Sequence, residues 1–169
     1  ARTFQALELY DDLTVEENVS AAIFGAGPDH RSGLVEAALD RVGLTEISER
    51  PAGELSQGER QLVSIARACA ADPTVLLLDE PAAGLGPGDT GRLGERIRAI
   101  AATGTGVLLI DHDVDLVLDV CDHIYVLDFG QVLVEGDAET VRADRAFAEA
   151  YLGTLPPAPT AAPAPAATP

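Results

Sequence analysis

Val75-Leu76-Leu77-Leu78-Asp79-Glu80-Pro81 decides how this chain folds. An apolar run without polar alternation reads as a strand covered on both faces, the pattern of a parallel sheet. It stops at Asp79 and Glu80, and Pro81 bars its continuation. Upstream, Leu55-Ser56-Gln57-Gly58-Glu59-Arg60-Gln61 opens a helix, because Ser56 and Glu59 stand at capping-box spacing. Downstream, a second apolar run, Val107-Leu108-Leu109-Ile110, leads into Asp111 and His112. The strand ending at His112 is expected beside the strand ending at Asp79.

Between 74 and 135 strands and helices alternate. A crossover helix is predicted over about Thr90–Ala102, stopped by Gly104-Thr105-Gly106, and another over Val114–Val120. Ile124–Leu127 and Val132–Val134 flank Phe129-Gly130 and read as a hairpin. Short helices near Ala138–Ala143 and Arg145–Leu152 follow, with Gly153 as a cap. Such alternation implies an α/β domain with a largely parallel sheet.

Residues 14–72 read as helical instead. Thr14 with Glu17 is a capping box for a helix to about Phe24, and Gly25 to Asp29 is a loop. Ser32 starts a second helix that Gly43 stops, and a third runs from about Gln57 to Ala71 before Asp72-Pro73. This predicts a helical subdomain over about 12–72 and an α/β core over about 73–153. Residues 154–169 hold six prolines and no charge, an extended and disordered composition.

Composition narrows the function. The net charge is −17, which argues against nucleic acid as a direct partner. No apolar run approaches the ~20 residues of a membrane span. Cys69 and Cys121 lack metal-ligand spacing and read as buried, reduced thiols of a cytoplasmic protein. All 11 basic residues are arginine. A phosphate-cradling Gly-x-x-x-x-Gly-Lys-Ser/Thr loop is therefore absent from these residues. With no methionine anywhere, we expect that an N-terminal part bearing that loop precedes Ala1.

Several residues carry candidate chemistry. The first turn after Ser56 presents unpaired N–H groups and a positive dipole end, which suit a phosphate. Gln57, Gly58 and Glu59 share that turn, and Gly58 is expected to let a ligand approach the backbone closely. A capping box alone is the plain alternative. Asp79 is placed to hold Mg²⁺ through water, and Glu80 to polarise an attacking water. A solvated strand-end charge pair is the alternative there. His112 is expected to reach the terminal phosphate and orient Glu80 and the water, whereas His30 and His123 read as surface or structural. Gln5, in Arg2-Thr3-Phe4-Gln5, is a candidate Mg²⁺ or water contact at a hinge.

The order Gln5, Leu55–Gln61, Val75–Pro81, His112 resembles the Q-loop, signature, Walker B and switch histidine of the ATPase subunits of ABC transporters. The resemblance covers about residues 1–153. Leu13-Thr14-Val15-x-x-Asn18-Val19, Pro81-Ala82-Ala83-Gly84-Leu85, Asp111-His112-Asp113 and Ala150-Tyr151-Leu152-Gly153 look like branched-chain amino acid importers in particular. Importers of urea and similar small polar solutes share much of this. The resemblance implies two subunits, identical or paralogous, sandwiching two ATP molecules with Mg²⁺. Each site joins the carboxylates of one subunit to the Ser56–Glu59 segment of the other. Permease subunits in the cytoplasmic membrane, fed by an extracytoplasmic solute-binding protein, are the implied partners. Gly86 departs from the pattern, since the family usually carries Asp or Asn there.

Two other readings stand beside it: a non-transport ABC ATPase acting on ribosomes or DNA, and a fragment that only pairs with a partner. Permease reading frames beside this one would favour transport. Lacking a lysine-bearing phosphate loop, the 169-residue chain by itself is expected to turn over no ATP. Phosphate release by the purified chain above a no-enzyme control would contradict this.

Overall fold

A computed structural model describes residues 9–152. Gln5 and its neighbours, Gly153 and the Pro-Ala tail lie outside the described residues. By its contacts the chain divides into two units, 1–120 and 121–169.

In the first unit, Thr14 caps α1 (Val15–Ser20) with both capping-box hydrogen bonds in place. The helix ends four residues before the expected Phe24. Ala22 and Ile23 bond back three residues, to Val19 and Ser20, and tighten the chain into turns. α2 (Pro28–Val42) begins earlier than expected, with Gly27 as N-cap and Pro28 at the first helical position. Proline fits there because that N–H has no helical partner anyway. Gly43, at φ 69°, ends α2 in the left-handed conformation, and the Leu44 N–H closes the last turn on the Leu39 carbonyl. α3 (Gln57–Cys69) buries Val63, Ile65, Ala66 and Cys69. α1, α2 and α3 pack on one another around Val15, Val19, Leu39, Val42 and Val63.

β1 (Val75–Asp79) and β2 (Gly106–Ile110) pair in parallel, Val75 opposite Gly106 through Asp79 opposite Ile110. α4 (Pro87–Ala102) crosses between them and packs against α5 (Val114–Val120). Like α2, α4 starts ahead of its expected first residue because a proline occupies N1. Leu76 and Leu78 face the core, with Leu93, Ile97 and Ile100 of α4 in the same cluster. The other side of the pair departs from the expectation of double coverage. Val75, Leu77, Leu108 and Ile110 remain 36% to 56% exposed. The absence of polar alternation along the strand therefore overstates its burial among the described residues.

The second unit is an antiparallel hairpin with short helices. β3 (Ile124–Asp128) and β4 (Gln131–Gly136) meet at Phe129-Gly130, both at positive φ. α6 (Ala138–Ala143) is capped by Asp137. The expected final helix is split: α7 (Arg145–Phe147) passes into a π-helical turn over Ala148–Leu152. The Tyr151 hydroxyl donates to the Leu127 carbonyl at 2.9 Å, and its ring stacks on Phe147. Both cysteines are free thiols; Cys69 is buried, whereas Cys121 is only partly so. Among the described residues, no helix is long and apolar enough to cross a membrane.

Asn18 is fully buried, and its amide is fully used. Its oxygen accepts the Tyr10 N–H at 2.9 Å, and its nitrogen reaches the carbonyls of Tyr10, Leu13 and Thr14 at 3.0, 3.3 and 2.9 Å. It thus closes the Tyr10–Thr14 turn onto α1. Asn18→Leu fills similar space but orphans the Tyr10 N–H and carbonyl partners, so we expect a loss of about 3 kcal/mol. Urea unfolding checks this, and an unchanged midpoint would contradict it.

Candidate functional site

The carboxyl ends of β1 and β2 carry the first group of site residues. The ladder continues one step past Asp79, where the Glu80 N–H donates to the Ile110 carbonyl at 2.7 Å. Glu80 then turns sharply at φ 46°, a left-handed backbone that costs a non-glycine residue about 1 kcal/mol or more. The Ala83 N–H closes the turn on the Glu80 carbonyl at 3.1 Å.

Asp111, unassigned by sequence reasoning, holds this edge together. Its side chain is completely buried. One carboxylate oxygen accepts the Ala82 N–H and the other the Asp113 N–H, both at 2.9 Å. It therefore ties the turn after Glu80 to the end of β2. Asp113 in turn accepts the Leu116 N–H at 3.0 Å and caps α5. The sequence signal was the Asp-His-Asp run directly after a buried strand. Such a run brackets an exposed residue with two local backbone acceptors.

The bracketed residue is His112. Its imidazole is 75% exposed and stands 3.8 Å from Asp111 through Nδ1. Asp79 and Glu80 are half-buried on the adjoining strand end. Asp79, Glu80 and His112 thus occupy two neighbouring strand ends joined by the Glu80–Ile110 and Asp111–Ala82 hydrogen bonds. No group of three metal-ligating side chains exists among the described residues. A single carboxylate at a strand end still suits Mg²⁺, which keeps several waters and takes substrate phosphates as ligands.

The second group lies at the tip of α3. The Glu59 N–H donates to the Ser56 hydroxyl at 3.3 Å, and the Ser56 N–H to the Glu59 carboxylate at 2.7 Å. The capping box is therefore real, and Glu59 is part of it. Burial pushes the Glu59 carboxyl up, but the Ser56 hydrogen bonds and Arg50 outweigh this and hold it below its ordinary range. Gln57 follows Ser56 in the first turn and is exposed. Gly58 is buried. A β-carbon there would come within 2.7 Å of the Asp89 carboxylate, so the space beside Gly58 accommodates α4. Asp89 is also ion-paired with Arg92 one turn on. A cleft of about 150 Å³ near Glu59, lined by Gly43, Leu62, Arg92 and Arg96 among others, is smaller than a usual ligand pocket.

The sequence family of ABC transporters matches residues 1–83. The high-affinity branched-chain amino acid transport ATP-binding protein LivG of Escherichia coli is 37% identical, over 90% of this chain and 67% of its own length. BraF of Pseudomonas aeruginosa, of the same description, is 38% identical over the same shares. A probable ABC transporter ATP-binding protein of Azorhizobium caulinodans is 36% identical over 88% of this chain and 54% of its own. Among solved structures, the ATP-binding cassette MJ1267 in its ADP conformation superposes with a TM-score of 0.74. It is 32% identical over 91% of this chain and 68% of its own. The protein cbiO1 of Clostridium perfringens, part of the ABC transporter complex cbiONQ, gives 0.78 at 30% identity, covering 85% and 59%. The fold is that of an ATP-binding cassette, and the chain belongs to the ATP-binding proteins of ABC transporters. It spans about half to two thirds of the length of the curated relatives it matches.

Gly86, the departure from the family pattern, is the N-cap of α4 and offers no side-chain acceptor. Its φ of −81° and ψ of 165° suit any residue, and the space around it is open. Gly86→Asn is expected to stabilise the fold by about 0.3–0.5 kcal/mol through a cap bond. A lower thermal midpoint for the variant would contradict this.

Proposed function

We propose that this chain is part of an ATP-hydrolysing subunit that drives import of branched-chain amino acids, or similar small polar solutes, across the cytoplasmic membrane. What supports the chemistry is the paired strand edge, with Asp79 and Glu80 on one strand and His112 just beyond the other. What supports the substrate is the likeness to LivG and BraF.

In this reading Asp79 would hold Mg²⁺, and Gln5, outside the described residues, would supply a further oxygen. The metal neutralises charge on the phosphates when bound. Glu80 polarises a water towards the terminal phosphate. His112 donates to that phosphate from the adjacent strand end and aligns Glu80. Its exposure leaves the imidazole free to swing towards a ligand. Ser56, Gln57, Gly58 and Glu59 serve the site of a second ATP-binding subunit, identical or paralogous, through the amides of the α3 tip. The assembly sits on the cytoplasmic face with transmembrane permease subunits, and an extracytoplasmic solute-binding protein supplies them. The strongly acidic composition disfavours nucleic acid as the partner.

In the full-length protein, Glu80→Gln removes the base while keeping size and hydrogen-bonding shape. Turnover is expected to fall about 10²- to 10⁴-fold, with ATP still bound. Steady-state phosphate release and nucleotide retention on the same sample check both halves. Hydrolysis near the parent rate would remove Glu80 from its role.

A further inference from the structure

The α3 tip carries an electrostatic contradiction. It is the segment assigned above to a phosphate, yet a carboxylate already occupies it. Glu59 closes the capping box on Ser56, with one oxygen 2.7 Å from the Ser56 nitrogen. That oxygen takes up the N-cap amide of Ser56, and its negative charge repels any polyphosphate brought to the first-turn amides. Glutamine in the same place caps equally well without the charge.

Arg50 resolves the contradiction. It lies outside every motif used so far, beyond the short turn Thr45–Ile47. Its Nη1 donates to the other Glu59 oxygen at 3.1 Å, and its Nη2 to the Glu54 carbonyl at 3.1 Å. Two anchors fix the guanidinium, one on the tip and one on the turn leading to it. The Arg50 carbonyl itself accepts the Val15 N–H at 3.0 Å, which holds its backbone against the start of α1. Fixed in this way, the cation meets the Glu59 charge at the phosphate-facing end of the helix without spending its own mobility.

We propose that Arg50 is a positioning residue for nucleotide: it neutralises Glu59 and so makes the α3 tip acceptable to the terminal phosphate of a nucleoside triphosphate. The inference rests on the reading of Ser56–Glu59 as a nucleotide contact. It assigns no chemistry to Arg50 itself, which acts only through Glu59.

The test uses the full-length ATP-binding protein, with MgATP as probe at low and high salt. Arg50→Ala is expected to raise KM about 3- to 10-fold at low salt and leave kcat within about twofold. The penalty is expected to shrink at about 1 M salt, where charges are screened beyond ~3 Å. Adding Glu59→Gln to Arg50→Ala is expected to return KM to near the parent value, because the cap persists and the charge is gone. A purely structural Arg50 would give a salt-independent defect that Glu59→Gln leaves in place, and this overturns the proposal, as does an unchanged KM in Arg50→Ala. If Arg50→Ala does not fold, Arg50→Gln, which keeps a donor for Glu59 without the charge, decides. A KM raised at low salt and restored at high salt supports the proposal, and an unchanged one overturns it. Absence of turnover by the parent protein would instead count against the ATPase reading, so the two failures are distinguishable.

Discussion

The buried carboxylate of Asp111 is the constraint on which the strand-end site depends. A carboxyl group withdrawn from water must be repaid in hydrogen bonds, and Asp111 accepts two from backbone amides on opposite sides of it. One lies in the turn that follows Glu80, the other in the chain that follows His112. A single side chain therefore fixes both neighbours of the candidate chemistry. It also explains how Glu80 holds a left-handed backbone. The Glu80–Ile110 and Asp111–Ala82 bonds on either side over-determine the turn, so its strain persists locally. Loss of either bond would release the strand end, and Glu80 would no longer project from a defined position.

A comparable economy holds the α3 tip. Arg60 donates to the Asp11 carboxylate and to the Ala52 carbonyl, both at 2.8 Å. The Ala52 and Gly53 amides bond back to Leu13 and Asp11. Asn18 closes the same stretch from below. The Tyr10–Thr14 segment and the tip that begins at Ser56 are therefore one connected unit, although about fifty residues of sequence separate Asp11 from Arg60. Exposed ion pairs such as Arg60–Asp11 are individually weak. The value of this pair lies in geometry, since the Arg60 guanidinium also donates to the Ala52 carbonyl and so joins two segments.

How far the sequence was legible follows from which interactions are local. β1, α5 and α6 have the boundaries expected, because apolar runs and side-chain caps lie within a few residues of what they control. The capping boxes at Thr14 and Ser56 were readable for the same reason. α2 and α4 begin ahead of their expected first residues at Pro28 and Pro87, because proline is favoured at the first helical position. The last helix reads from sequence as a single element because periodicity does not separate a π-helical turn from an α-helical one. Within the site, Asp79, Glu80 and His112 could be placed on adjoining ends from the alternation of strands and helices alone. Asp111 could not be assigned, since its role exists only once β1 and β2 pair in register. Gly58 was legible as a special position, but the reason for it, Asp89 arriving from α4, is a tertiary fact.

The two groups of residues differ in kind, and this bears on how the molecule works. The strand edge is built from deep anchors: a buried carboxylate, a parallel ladder and a strained turn. In the proposed reading, its acceptors and imidazole serve a metal-bound phosphate and a water. The α3 tip is built from amides, a hydroxyl and a neutralised ion pair near the surface. It encloses nothing by itself, and dipole stabilisation at an exposed helix end is only about 0.3–1 kcal/mol. Such a tip discriminates instead of gripping. It adds a modest favourable term when a phosphate already held elsewhere is brought against it, and loses that term when the phosphate leaves. Under the proposed function, a contact of that size would follow the state of a nucleotide without trapping it.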